Sequence, residues 1–173
     1  MKELRPIRLK QLKVEARLLH KKLKLNLDDS VERYLRHPLF DKKTHSQFKA
    51  QIGKMRLKHA YHIIAFEYGY DRWEDLKQYV INQDLLYRSS GVGFVHKWFK
   101  SYIEACRYQA KNGGYLLRFW ADYIVCGIEY IQLLQLHSYS KDWELIGFDW
   151  VKPHDQSAYQ RLYQKALLQY YSL

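Results

Sequence analysis

The chain has 173 residues, 47% of them hydrophobic. That is enough for one ordinary core or two small ones, and too little for a large multi-domain enzyme. Aromatic residues make up 16%, with sixteen Tyr and five Trp against eight Gly and three Pro, which argues against both disorder and a Gly-rich β-barrel. The net charge of +11 is unevenly placed: residues 1–60 hold 17 Lys and Arg against 6 Asp and Glu, and residues 61–173 hold 12 of each. A surplus concentrated in this way creates a local field that attracts polyanions.

The two cysteines, Cys106 and Cys126, lack CxxC spacing and read as buried free thiols. No apolar stretch reaches the roughly 20 residues that span a bilayer, and the opening run from Met1 to Pro6 lacks the apolar core of a secretory signal, so a cytoplasmic protein is expected.

After Pro6, Leu9, Leu12, Ala16, Leu19 and Leu23 recur at steps of three and four and predict an amphipathic helix ending near Lys24 or Leu25. Lys10, Lys13, Arg17, Lys21 and Lys24 repeat the rhythm one residue later, a basic stripe roughly 100° around the cylinder. Asp28, Asp29 and Ser30 are candidate caps of a short helix that must stop before Pro38, with Leu39 and Phe40 as loop anchors. A continuous third helix is expected over 46–68, with Phe48, Ile52, Met55, His59, Ile63 and Phe66 along one side, Gly53 as a weak point and Gly69 as its C-cap. Asp71 with Glu74 opens a fourth helix carrying Trp73, Leu76, Tyr79 and Val80.

Residues 83–93, with Ser89-Ser90-Gly91, read as a linker between a basic helical domain at 1–82 and an aromatic-rich α+β domain at 94–173. In the second half a short strand is expected at 94–99. Ser101 with Glu104 caps a helix that Asn112-Gly113-Gly114 stops. A β-hairpin follows, with strands 115–120 and 123–126 turning at Ala121-Asp122. A short helix over 128–136, a Trp-rich connection over 143–150 and a last helix capped by Asp155 complete the chain. The fold class is therefore mainly α with a small α+β C-terminal half: an N-terminal four-helix region, then a helix, β-hairpin and helix region.

The segment from Arg56 to Lys77 places Ala60 and Ala65, Ile64-Ala65, Glu67, Gly69 and Trp73-x-x-Leu76 in one pattern. It resembles a short helical module that precedes other domains in some bacterial proteins, including some with ankyrin repeats or a glyoxalase-superfamily label. The resemblance covers about 22 residues of this chain. It implies a helical hairpin and a bacterial or phage source, and carries over no functional residue. Asn112 to Leu117 and Asp142 to Trp150 suggest an uncharacterised bacterial domain.

The basic stripe is the leading functional candidate, because clustered Lys and Arg drive sequence-independent nucleic-acid binding by releasing phosphate counterions. The nucleic-acid-binding candidates are Lys10, Lys13, Arg17, Lys21 and Lys24 of the stripe with Lys54, Lys58 and Arg118 from elsewhere in the chain, against the bland reading of a solvated face. A helix-turn-helix with Arg72, Lys77 and Gln78 in the groove is disfavoured by Glu74 and Asp75 in the same helix. His59 and His62, with His20, His37 and His45 in the same half, lack the spacing of a zinc motif. On the hairpin, Arg118 and Trp120 share the face that could look outward and stack on bases. His96, Lys97, Arg118, Asp122 and Tyr123 could be assembled into a nuclease site only on paper.

The expectation is thus a nucleic-acid-binding protein that contacts RNA or DNA backbone, with no cofactor, no metal, no membrane span and, on balance, no enzymatic activity. The alternatives are an adaptor or antitoxin-like module that binds an acidic protein, and a small RNA-cleaving toxin.

Overall fold

The computed structural model describes Lys2 and residues 4–172; Met1, Glu3 and Leu173 lie outside it. The protein is mainly helical, with one small sheet in its second half. No helix among the described residues is long and apolar enough to cross a membrane. By packing, the chain divides between Asn82 and Gln83 into two units.

The first unit holds α1 (Leu9–Lys24), α2 (Asp28–Leu35), α3 (His45–Lys49), α4 (Leu57–Glu67) and most of α5 (Trp73–Asp84). Leu9, Leu12, Ala16, Leu19 and Leu23 are all buried, so the three-and-four spacing does fix one side of α1 to the core. Asn26, in the left-handed region at φ 57°, turns the chain into α2. Asp28 and Asp29 occupy the first turn of α2, where they complement its dipole instead of capping it; the N-cap position is Leu27. Only Phe40 anchors the following loop, through Tyr34 and Phe48, since Leu39 is 64% exposed.

The continuous helix expected over 46–68 is broken. Thr44 caps α3, a 3-10 turn occupies Ile52–Lys54, and Met55 is extended before α4 begins. Gly53 is a poor helix former. The Lys24 ammonium, moreover, bonds the carbonyls of Ile52 and Gly53 at 2.9 and 3.1 Å, which satisfies backbone oxygens that the break leaves open. With the rotation reset, α4 buries Ala60, Ile63, Ile64 and Ala65 and leaves Phe66 39% exposed, contrary to the single-stripe expectation. Gly69 closes α4 at φ 85°, and Trp73 stacks on Tyr61 across the turn at 4.4 Å.

In the second unit, residues 89–94 form a 3-10 turn packed on a later helix, so the stretch read as a linker is largely structured. Then follow β1 (Val95–Phe99), α6 (Tyr102–Asn112), β2 (Tyr115–Phe119), β3 (Asp122–Cys126), α7 (Ile128–Leu133), α8 (Ser140–Leu145) and α9 (Gln156–Tyr171). The sheet is antiparallel in the order β1-β3-β2. Phe119 pairs with Asp122, so the hairpin turns at Trp120-Ala121, one residue earlier than expected, with Trp120 at φ 54°. Ser101 makes no side-chain cap bond, and Trp143 belongs to a helix instead of a bare connection. One face of the sheet packs Phe99, Leu116 and Val125 against Ala105 of α6. On the other face, Tyr115 meets Trp143 and Phe148, and Phe119 meets Tyr87 and Tyr130.

Tyr130 joins α7 to the segment leading into the sheet. Its buried hydroxyl accepts from the Arg88 N–H at 2.9 Å and donates to the Leu86 carbonyl at 3.0 Å. The ring lies so close to Gly91 that a Cβ there would stand 2.5 Å from it. Tyr130→Phe strands both backbone groups and is expected to destabilise the second unit by about 1–3 kcal/mol. Chemical denaturation followed by tyrosine and tryptophan emission measures this; an unchanged midpoint would show that water takes over both bonds.

Candidate nucleic-acid interface

Burial of the Leu9-to-Leu23 line sets the rotation of α1, and that rotation places Lys10, Arg17, Lys21 and Lys24 in solvent, with Lys13 half-buried. α1 and α4 run antiparallel. Lys24 meets Ile52 and Gly53, His20 senses the charge of His59, and Glu15 shares Arg33 with Glu67. The C-terminal end of α1 therefore lies beside the start of α4, and Lys21, Lys22 and Lys24 are grouped with Lys54, Arg56 and Lys58. Lys54 and Lys58 are exposed. Seven of the eight residues singled out from sequence thus lie in one unit. Lys10 and Lys13 sit toward the other end of the helix.

Arg118 belongs to the other unit, where its guanidinium donates through Nε to the Trp120 carbonyl at 2.9 Å and lies over the Tyr123 ring at 5.8 Å. It braces the hairpin turn. Trp120, its expected outward partner, is half-buried in that turn.

The basic residues divide into two populations. One is neutralised internally: Arg33 forks onto Glu67 at 2.7 and 2.6 Å and reaches Glu15 at 3.3 Å, Lys2 meets Glu15 and Glu67 at 2.5 and 2.7 Å, and Lys49 holds Asp28 at 2.9 Å. The other comprises Lys10, Lys13, Arg17, Lys21, Lys22, Lys42, Lys54, Arg56 and Lys58, which make no ion pair among the described residues. Lys24 is committed to the helix break. Sequence reasoning placed Lys24 in the stripe but had no signal for this structural bond, because its partners are backbone atoms 28 and 29 residues away.

Burial opposes the ionised form of Glu67, yet hydrogen bonds from Arg33 and Lys2 outweigh it and hold the carboxyl below its usual value. His20, His37 and His59 all titrate below the ordinary histidine value, burial being the first cause in each. Lys24 and His59 add to the effect at His20, and Lys58, Arg56 and His62 add to it at His59. His59 uses Nδ1 to accept the Arg56 N–H at 2.9 Å, capping α4, and His37 uses its own Nδ1 for the Leu39 N–H at 3.1 Å. Among the described residues, no group of three or more His, Cys, Asp or Glu stands together as potential metal ligands.

Compared with family models, with curated proteins and with solved structures, the chain matches none.

Two pH effects follow. The three histidines have folded-state values below their unfolded ones, so the stability they confer is present above about pH 6.5 and is lost as the pH falls through and below it. Glu67, also depressed, contributes stability that persists until the pH falls below about 4.5. Thermal unfolding of the first unit should therefore shift downward between pH 7.5 and 5.5, and His59→Gln should flatten that shift. A melting temperature constant over this range would contradict the assignment.

Proposed function

We propose that the protein binds the phosphate backbone of RNA or DNA through the outer face of α1 and the adjoining start of α4. What supports this is the division of the cations: those near a carboxylate are paired, while Lys10, Lys13, Arg17, Lys21, Lys22, Lys54 and Lys58 are left in reach of an external polyanion. Phosphate contacts position a duplex or strand without reading its bases, so the expected binding has little sequence preference. Arg118 contributes, on this reading, only through donors that the Trp120 carbonyl does not use. On this reading the protein acts as a cytoplasmic binding protein.

A second reading, an acidic protein partner, is favoured by one observation. Val14, Leu18 and Leu25 are 44%, 54% and 63% exposed and line the side of α1 opposite the core, beside the lysines. An acidic amphipathic helix would cover both.

Salt separates the two. If about six phosphates are contacted, affinity for nucleic acid should drop roughly a thousandfold between 50 and 200 mM salt. Replacing Arg17, Lys21, Lys54 and Lys58 by Gln should weaken binding whatever the sequence, and should lower the salt slope by about one for each phosphate contact removed. Filter binding or electrophoretic shift measures both. Lys24 stays unaltered in this variant because of its role in the fold. An unchanged affinity would refute the α1 face, and loss of binding to an acidic protein fraction without loss of nucleic-acid binding would favour the second reading.

A further inference from the structure

α2 lies antiparallel beside the last turns of α4. Arg33 forks onto Glu67, whereas His37, one turn later, meets the Phe66 ring at 4.8 Å and senses the charge of His62. Followed the other way, α2 runs past the end of α4 and brings Asp29 toward the turn at Gly69 to Asp71. The groove between them is a cleft of about 740 Å³, within the size range of small-molecule sites, with Asp29, Arg33, Arg36, Phe66, Tyr70 and Asp71 among its lining residues.

The charges of the cleft fall into a bound set and an open set. Lys2, Arg33 and Glu67 hold one another and give it a fixed floor. All the bonds of Arg33 run through Nε and Nη2, so Nη1 keeps its donors for a further acceptor. Arg36 meets Glu32 at 3.4 Å, and with side chains 75% and 54% exposed this pair is readily exchanged for another. Asp29 and Asp71 make no ion pair or hydrogen bond among the described residues. Phe66, large, apolar and 39% exposed, supplies an aromatic wall.

The open groups are of both signs and stand at different ends. Asp29 precedes Arg33 by about one turn, so the carboxylate end and the guanidinium end are roughly 6 Å apart along the helix. Asp29 and Asp71 would repel a polyanion, and Arg33 and Arg36 a simple cation. A molecule with both charges satisfies both ends. In a free amino acid the two charges are borne by one carbon and span too little, whereas two extended residues reach up to about 7 Å.

We infer that this cleft binds a short zwitterionic peptide of dipeptide size, its ammonium held by Asp29 and Asp71, its carboxylate by Arg33 Nη1 and Arg36, and an apolar side chain laid on Phe66. The inference does not rest on the nucleic-acid reading, because none of these residues belongs to the α1 face. Sequence reasoning did not find the site, since it is assembled from α2 and a turn distant in the chain.

Isothermal titration calorimetry of the full chain tests it, with alanyl-leucine, alanyl-phenylalanine, their N-acetyl and C-amide forms, and free leucine. Both free dipeptides should bind, and blocking either terminus should weaken them about 10- to 100-fold. Asp71→Asn should weaken the free dipeptides to a similar extent and leave the weak binding of the N-acetyl forms unchanged; Arg36→Gln should do the same with respect to the amides. Arg33 stays unaltered because Glu67 and Glu15 depend on it. Melting temperatures check that both variants fold; should one not fold, the blocked peptides on the natural protein decide. No binding of either free dipeptide at about 5 mM overturns the inference. Equal affinity for free and blocked forms overturns it too, as does leucine binding as tightly as the dipeptides.

Discussion

Rotation of α1 about its own axis is the constraint on which the first unit depends. Five small or branched side chains at three-and-four spacing are buried together, and a turn of 100° in either direction would bring a lysine or an arginine into the core. Burying an unpaired ammonium is far more unfavourable than losing one leucine contact, so the register is held from both sides. The exposure of the basic stripe is then a consequence of packing, and needs no selection of its own beyond the presence of the residues.

The carboxylates complete the arrangement by what they leave alone. Glu15 and Glu67 face Arg33 and Lys2 across α1, α2 and α4, and their bonds tie three helices at one site. Because Glu15 lies on the flank of α1 away from Lys13, Arg17 and Lys21, the acids that stabilise the unit do not neutralise its basic face. Charge is largely segregated by helix geometry: one flank holds the satisfied ion pairs with Lys22 unpaired beside them, and the other is open.

Much of this was legible in the residues. The helix at 9–24, the stop before Pro38, the glycine at 69 and the cap at Asp155 follow from local chemistry, and each is found. What was not legible depended on partners distant in sequence. The break between α3 and α4 needs the Lys24 ammonium as well as Gly53. The hairpin turn is set by pairing Phe119 with Asp122, although Ala-Asp and Trp-Ala are equally poor turn sequences. The 89–94 turn looked like a linker because serine and glycine signal loops, whereas Gly91 is there to admit the Tyr130 ring. At the candidate site, periodicity located the stripe; only the fold distinguished Lys24, which is structurally engaged, from Lys21, which is not.

The placement of Lys10, Arg56 and Lys58 carries the argument one step further. Lys10 lies in the first turn of α1, Arg56 is the N-cap of α4 and Lys58 follows in its first turn, and neither helix has an acidic residue there. A helix N-terminus carries partial positive charge, so cations in these positions are disfavoured by about 0.3–1 kcal/mol each, while Asp28 and Asp29 in α2 show that the chain uses the favourable choice elsewhere. Stability alone therefore does not account for them. An external phosphate near the start of α4 would reverse the sign of the interaction: the dipole and the side chains, which repel one another in the isolated protein, would both attract the same anion. On the proposed function, the local disadvantage in the free state would become a gain on binding.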